Sequence, residues 1–259
     1  MEYKTLIVKK TEEFVGVITL NRPKNLNTFS LELATELKEA LKSMDKDPLV
    51  RVIILKGAGR AFCAGIDVSD FFDKSTMEYR EWIETMESPL LFISQMNKPV
   101  IAQVHGPAVA NGLGLVAACD LAIAARNSKF GLTAINVGLN CVGPVIPVLK
   151  SIGRKRALEL LLLGKTIDAE EAQKIGLINM VVDEEEVEQK TLKIAKELAN
   201  KSPIALQLAK KAFYTAEDMD YVKAFRYMNE VFARLCSTQD AKEGVRAFLE
   251  KRTPQWKEK

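Results

Sequence analysis

Two short runs, VRVIILKG (residues 50–57) and KPVIAQVHG (98–106), constrain the fold more than anything else in this chain. Each is close to continuously apolar and rich in β-branched residues, without the alternation of a strand that faces water on one side. Runs of this kind belong to strands buried on both faces, which occur in parallel sheets covered by helices. Each is followed by a stretch of small residues and then by a helical pattern. That strand-turn-helix order recurs around residues 15–44, 50–72 and 100–119. The expectation is an α/β fold.

The remaining pattern agrees. TLIVKK and FVGVITL read as two strands, and the loop NRPKNLNTFS follows them. Ser30 is placed to cap a helix whose apolar stripe is Leu33, Leu37, Leu41 and Met44. The polar, mobile-looking stretch DFFDKSTMEYREW leads into a helix running towards Met96, with a break expected at Pro89. LAIAA (121–125) is a further strand. From Gly143 onward the character becomes helical, with Asp168 and Glu171 spaced as a capping box. Three last helices are expected from Pro203, near Asp218 and near Ser237. No Gly, Ser or Pro linker interrupts the chain, so it reads as one folding unit: a core over residues 1–200 and a helical C-terminal region over 201–259.

Composition removes several classes of function. The 259 residues carry a formal net charge of +3, with basic and acidic residues interleaved, so no nucleic-acid partner is expected. Cys63, Cys119, Cys141 and Cys236 are far apart, and His105 is the single histidine, a poor basis for a zinc site. Unpaired cysteines fit a reducing compartment. The start MEYKTLIVKKTEE has neither a signal-peptide core nor the look of a transit peptide. No apolar run has membrane-spanning length. A cytoplasmic location is the expectation.

Glycines give three competing signals. Gly112-Leu-Gly114-Leu-Val-Ala117 satisfies the dinucleotide pattern, but the acidic residue for the ribose is missing downstream. Gly164-Lys165-Thr166 imitates the end of a P-loop, yet Glu159 stands where the first glycine belongs; Gly164 reads instead as a helix stop. The third signal is a pair. AFCAGID (61–67) and AVANGLG (108–114) each place small residues at a strand-to-helix turn. One backbone N–H from each turn, converging on a single oxygen, would form an oxyanion hole.

With NRPKNLN, AFCAGID, KPVIAQVHGPA, AACDLAIAA, KFG, the GK–EA–IGL run at 164–177 and AFLEKR in order, the chain resembles the crotonase superfamily, the enoyl-CoA hydratase/isomerase family. The resemblance implies a spiral of ββα units with a helical trimerisation region, assembled as a homo-trimer or a hexamer made of two trimers. It implies an acyl-CoA thioester as substrate, with coenzyme A entering only as part of it and no separate cofactor. The amides of Ile66 and Asn111 correspond to the oxyanion donors. Lys24, Leu26, Ala64, Ile66, Asp67 and Val68 resemble the walls of the CoA pocket. Phe248 and Lys251 resemble residues that reach CoA, in many members from a neighbouring subunit.

The resemblance fails at the proton-transfer positions. Hydratases of this family use two glutamates to hold and deprotonate water. Gly114 stands at the first of these positions and Ala134 at the second, a pattern like a subgroup of hydratase-domain proteins that lacks both. An aspartate used by other branches is replaced by Asn140 and Cys141. Asn136, Asn140 and Cys141 are therefore the polar candidates. An Asn in this setting is more commonly a turn residue, and the thiol lacks a neighbouring base. His105 reads as a packed imidazole, and Asp70, Asp73, Glu81 and Glu84 as solvated carboxylates. The expected function is a nominal enoyl-CoA hydratase. The alternatives are thioester hydrolysis, decarboxylation or hydration of a cyclic or dienoyl substrate on the same scaffold, or acyl-CoA binding without catalysis.

Overall fold

The computed structural model describes residues 2–258, apart from the side chain of Asp70. Strands β1 (Leu6–Lys10) and β2 (Val15–Leu20) form an antiparallel pair. Then β3 (Val52–Gly57), β4 (Val100–Val104), β6 (Leu121–Ala125) and β9 (Met180–Val182) add in parallel, giving the order β1-β2-β3-β4-β6-β9. A smaller sheet joins β5 (Pro107–Val109), β7 (Lys129–Gly131) and β8 (Thr166–Asp168). The expected parallel core strands are there, and β4 is buried at every position.

Four strands of the large sheet, β2, β3, β4 and β6, each feed a second extended segment before a helix. After β2 comes Phe29, which bridges Ile66; after β3 comes Cys63, which bridges Ala108 of β5. After β4 comes β5, and after β6 comes β7. These lead respectively into α1 (Leu31–Lys46), α2 (Thr76–Gln95), α3 (Asn111–Ala118) and α4 (Val145–Leu163). The result is a ββα unit repeated along the chain, with the small-residue turns stacked in the second layer. Helix α5 (Ala169–Lys174) follows β8, and α6 (Val187–Ala199) closes the outer face of the large sheet against Val52, Ile54, Ile101 and Ile123. Helices α7 (Pro203–Ala216), α8 (Tyr221–Cys236) and α9 (Gln239–Leu249) complete the chain.

Local signals mostly hold. Ser30 accepts the Leu33 amide, and the stripe Leu33, Leu37, Leu41 and Met44 is buried. Asp168 caps α5 through the Glu171 amide, and Gly164 ends α4 in the left-handed region at φ 59°. Two expectations fail. Pro89 does not break α2, because the Ser88 hydroxyl donates to the Thr85 carbonyl that the missing Pro89 N–H leaves open. The stretch before α2 is also more than polar linker. Phe71 packs edge-on against Trp82, with centroids 6.1 Å apart, and against Tyr79 at 5.2 Å. A Ser75–Glu78 capping box then starts the helix.

Candidate active site

The two small-residue turns are pressed against each other. Gly65 has φ +102°, and a Cβ placed there would lie 3.0 Å from the Ala110 Cβ. A Cβ on Gly112 would lie 2.1 Å from the Cys63 carbonyl oxygen. Neither glycine tolerates a side chain, so these residues are small first because the loops touch. Ala110 holds φ 49° and ψ −117°, a conformation that favours glycine and costs about 1–3 kcal/mol. Strain of this size persists only where the surroundings enforce it.

The backbone directions follow from the ladder. The Phe29 amide donates to the Gly65 carbonyl, and the Asp67 amide to the Phe29 carbonyl. Both neighbours of Ile66 thus turn polar groups towards Phe29, so the Ile66 N–H points the other way, to the side of Ala110. Asn111 opens α3, where an N–H has no acceptor inside its own helix. Its side chain is 2% exposed, and its Nδ2 has no hydrogen-bond partner. Such an unmet buried donor is rare in a folded protein.

The NRPKNLN loop is held against this pair. Asn27, fully buried, donates to the carbonyls of Ala58 and Ala61 and accepts the Arg22 amide. Ala64 donates to the Leu26 carbonyl. The Arg22 guanidinium meets the Asp67 carboxylate at 2.7 Å. Ser69 and Arg22 together hold that carboxyl below its usual range against the opposing effect of burial. Asp67 is therefore a latch between two loops, and Arg22, absent from the sequence candidates, is its other half. Lys24 and Val68 are exposed on the rim, while Leu26 and Ala64 are half-buried. Phe248 and Lys251 lie at the exposed end of α9, whose helical neighbours are α7 and α8.

The polar candidates separate. The Asn136 amide donates to the Gly164 carbonyl and so serves the end of α4; Asn140 is exposed. His105 Nε2 lies 2.7 Å from the Gly59 carbonyl, the packed imidazole expected. Glu84 pairs with Arg80 on the surface, and Asp73 and Glu81 are exposed; the Asp70 side chain lies outside the described residues. Cys141 is buried and its thiol is pushed up by desolvation, opposed by a backbone hydrogen bond at Ala134 and reinforced by the Glu87 charge.

Glu87, on α2, is the residue that sequence reading missed. Its carboxyl lies over Gly143: a Cβ there would be 1.9 Å and 2.1 Å from its two oxygens. Burial alone pushes its carboxyl above the usual glutamate range, and among the described residues no donor or cation answers it. One turn along α2, Leu90 meets Gly114, as does Pro144 from the loop that carries Cys141 and Gly143. Glu87 therefore lies beside the Leu90–Pro144 wall of Gly114 and within electrostatic reach of Cys141, which is hydrogen-bonded at Ala134. The available signal was an acidic residue set among Ile83, Met86 and Leu90, on the apolar side of a helix.

A ββα spiral with interlocked turns between its layers is the crotonase fold. It superposes on the enoyl-CoA hydratase of Mycobacterium smegmatis with a TM-score of 0.94, at 35% identity over 97% of this chain and 98% of that one. Human enoyl-Coenzyme A hydratase domain-containing protein 3 matches with a TM-score of 0.93, at 32% identity over 98% of this chain and all of that one. In sequence, the crotonyl-CoA hydratase of Syntrophomonas wolfei is 36% identical over 254 residues, 97% of either chain. The enoyl-CoA hydratase/isomerase family model matches residues 10–259, and the chain belongs to that family.

Proposed function

We propose that the protein is an acyl-CoA enzyme that polarises a CoA-thioester carbonyl between the amides of Ile66 and Asn111. The observation that carries this reading is the contact of the two turns. Gly65 on Ala110 and Gly112 on Cys63 hold two strand-to-helix turns against each other. The Ile66 N–H turns away from Phe29, and the Asn111 N–H opens α3 with no acceptor inside its own helix, which supports the pair as the donors. Donors fixed in advance stabilise developing oxyanion charge at no cost of reorganisation, and losing one costs about a hundredfold or more in rate. CoA enters by the Lys24 and Leu26 loop, past Ala64, Asp67 and Val68, as part of the substrate and without a further cofactor.

The nominal reaction is enoyl-CoA hydration. Gly114 and Ala134 transfer no proton, however, which favours a reaction with a different acid–base group over the two-glutamate route. Incubation with crotonyl-CoA, followed by loss of enone absorbance, tests hydration. An acyl-CoA panel read by mass spectrometry tests hydrolysis, decarboxylation and hydration of cyclic or dienoyl substrates, each of which changes the mass. Isomerisation, which does not, is read from enone absorbance appearing with a 3-enoyl-CoA. Absence of acyl-CoA binding by calorimetry would remove the whole reading.

Assembly into a homo-trimer or hexamer belongs to the same proposal. Helix α8 buries no residue within the chain, while Phe225 and Phe232 are more than half exposed; on α9, Phe248 is 81% exposed. Apolar faces of this extent mark interaction surfaces. A light-scattering mass of one chain would contradict it.

A further inference from the structure

We propose that Glu87 is the catalytic acid–base of this enzyme, a carboxylate brought from α2 to the acyl carbons beside the thioester carbonyl. The inference rests on the acyl-CoA reading above and adds to it the group that moves the proton.

Three observations place it. Asn111 and Gly114 lie one turn apart on α3, about 4.5 Å along the axis, so an acyl group held by the Asn111 amide runs past Gly114. Gly114 is walled by Leu90 and Pro144, and the residues beside those walls, Glu87 and Gly143, touch each other. The missing side chain at Gly143 is what gives the Glu87 carboxyl its place: a methyl group there would overlap both oxygens. The carboxyl is half-buried and unanswered by any donor or cation among the described residues, which is the environment that suits a proton shuttle. Cys141, which feels the Glu87 charge, has its thiol pushed up by burial and does not compete for the role.

The step balances without a co-reactant. The Glu87 carboxylate takes a proton from the carbon next to the thioester carbonyl. The C–H electron pair forms the new carbon–carbon π bond, and the carbonyl π pair moves onto oxygen, where the two amides hold the charge. The carboxylic acid then returns a proton to that carbon. In a 3-enoyl thioester it returns it two carbons along, which yields the 2-enoyl isomer. One carboxylate suffices, and neither Gly114 nor Ala134 is needed.

The test uses butyryl-CoA, a saturated thioester that reports proton removal alone. Calorimetry measures its binding, and mass spectrometry in D2O measures deuterium uptake at the carbon next to the carbonyl. The wild-type protein is expected to bind and to exchange. Glu87→Gln should bind equally and lose exchange by about a hundredfold or more. Gly143→Ala, which displaces the carboxyl without removing it, should lose exchange similarly while folding normally. Glu84→Gln, on the solvated side of the same helix, should exchange at the wild-type rate. Exchange by Glu87→Gln at that rate would overturn the assignment, as would wild-type binding without exchange. Failure of the wild-type protein to bind would instead strike the acyl-CoA reading itself.

Discussion

Two carboxylates stand near the short helix α3 and are treated in opposite ways. Asp120, just past its C-terminal end, accepts the Val100 amide at 2.7 Å, the Lys210 ammonium at 2.7 Å and the Tyr214 hydroxyl at 3.1 Å. Lys210 is 8% exposed and donates also to the Lys98 carbonyl. Glu87, which reaches α3 through Leu90 and Pro144, has no such company. Both carboxyls are partly withdrawn from water, but only one is repaid with partners. The lesson is that a fully answered buried charge fastens an element, here α7 to the sheet. An unanswered one weakens the fold and keeps its proton exchangeable.

That contrast can be broken at its strong side first. Asp120→Ala strands the Lys210 ammonium in a buried site, and unfolding in urea should show a loss of about 3–5 kcal/mol. A loss near the ~1 kcal/mol of an exposed pair would mean that Asp120 is not the fastening it looks like. Next comes the wall between the two regions. Gly112→Ala drives a methyl group into the Cys63 carbonyl, and thermal unfolding should register an overpacking cost of about 1–3 kcal/mol. Thioester binding should fall with it, because the two turns separate.

At the weak side the sign reverses. The folded protein holds the Glu87 proton more tightly than the unfolded chain does, since burial raises its pKa. Its stabilising contribution is thus complete below the ordinary glutamate range and is lost as pH rises through the folded value. Glu87→Gln should therefore match the wild-type melting temperature near pH 4, about the unperturbed value, and exceed it at neutral pH. A variant less stable than wild type at neutral pH would show that Glu87 is a structural group after all. The smallest effect belongs to Glu84→Gln, which breaks an exposed pair with Arg80 and should change stability by no more than about 0.5 kcal/mol.

Much of this was legible in the sequence, for reasons that vary by residue. The buried strands announced themselves through unbroken β-branched runs, and the Ser30 cap and Gly164 stop through local chemistry. AFCAGID and AVANGLG marked the paired turns, because only small residues permit such an approach. What they approach is each other, a contact between residues far apart in the chain that spacing does not reveal. Asp67, expected as a pocket wall, is also a latch, which spacing did not reveal because its partner Arg22 lies 45 positions away. Pro89 looked like a break, and a single hydroxyl from Ser88 undoes that expectation. Glu87 was hidden for the plainest reason. Its meaning depends on Gly143, a residue with no side chain, in a loop after four further strands.

The most direct measurement is a crystal structure of the protein with butyryl-CoA bound. The account predicts the thioester oxygen about 2.7–3.1 Å from the nitrogens of both Ile66 and Asn111, with the Glu87 carboxyl facing the adjacent carbon. A thioester whose carbonyl lies away from these two amides would contradict it.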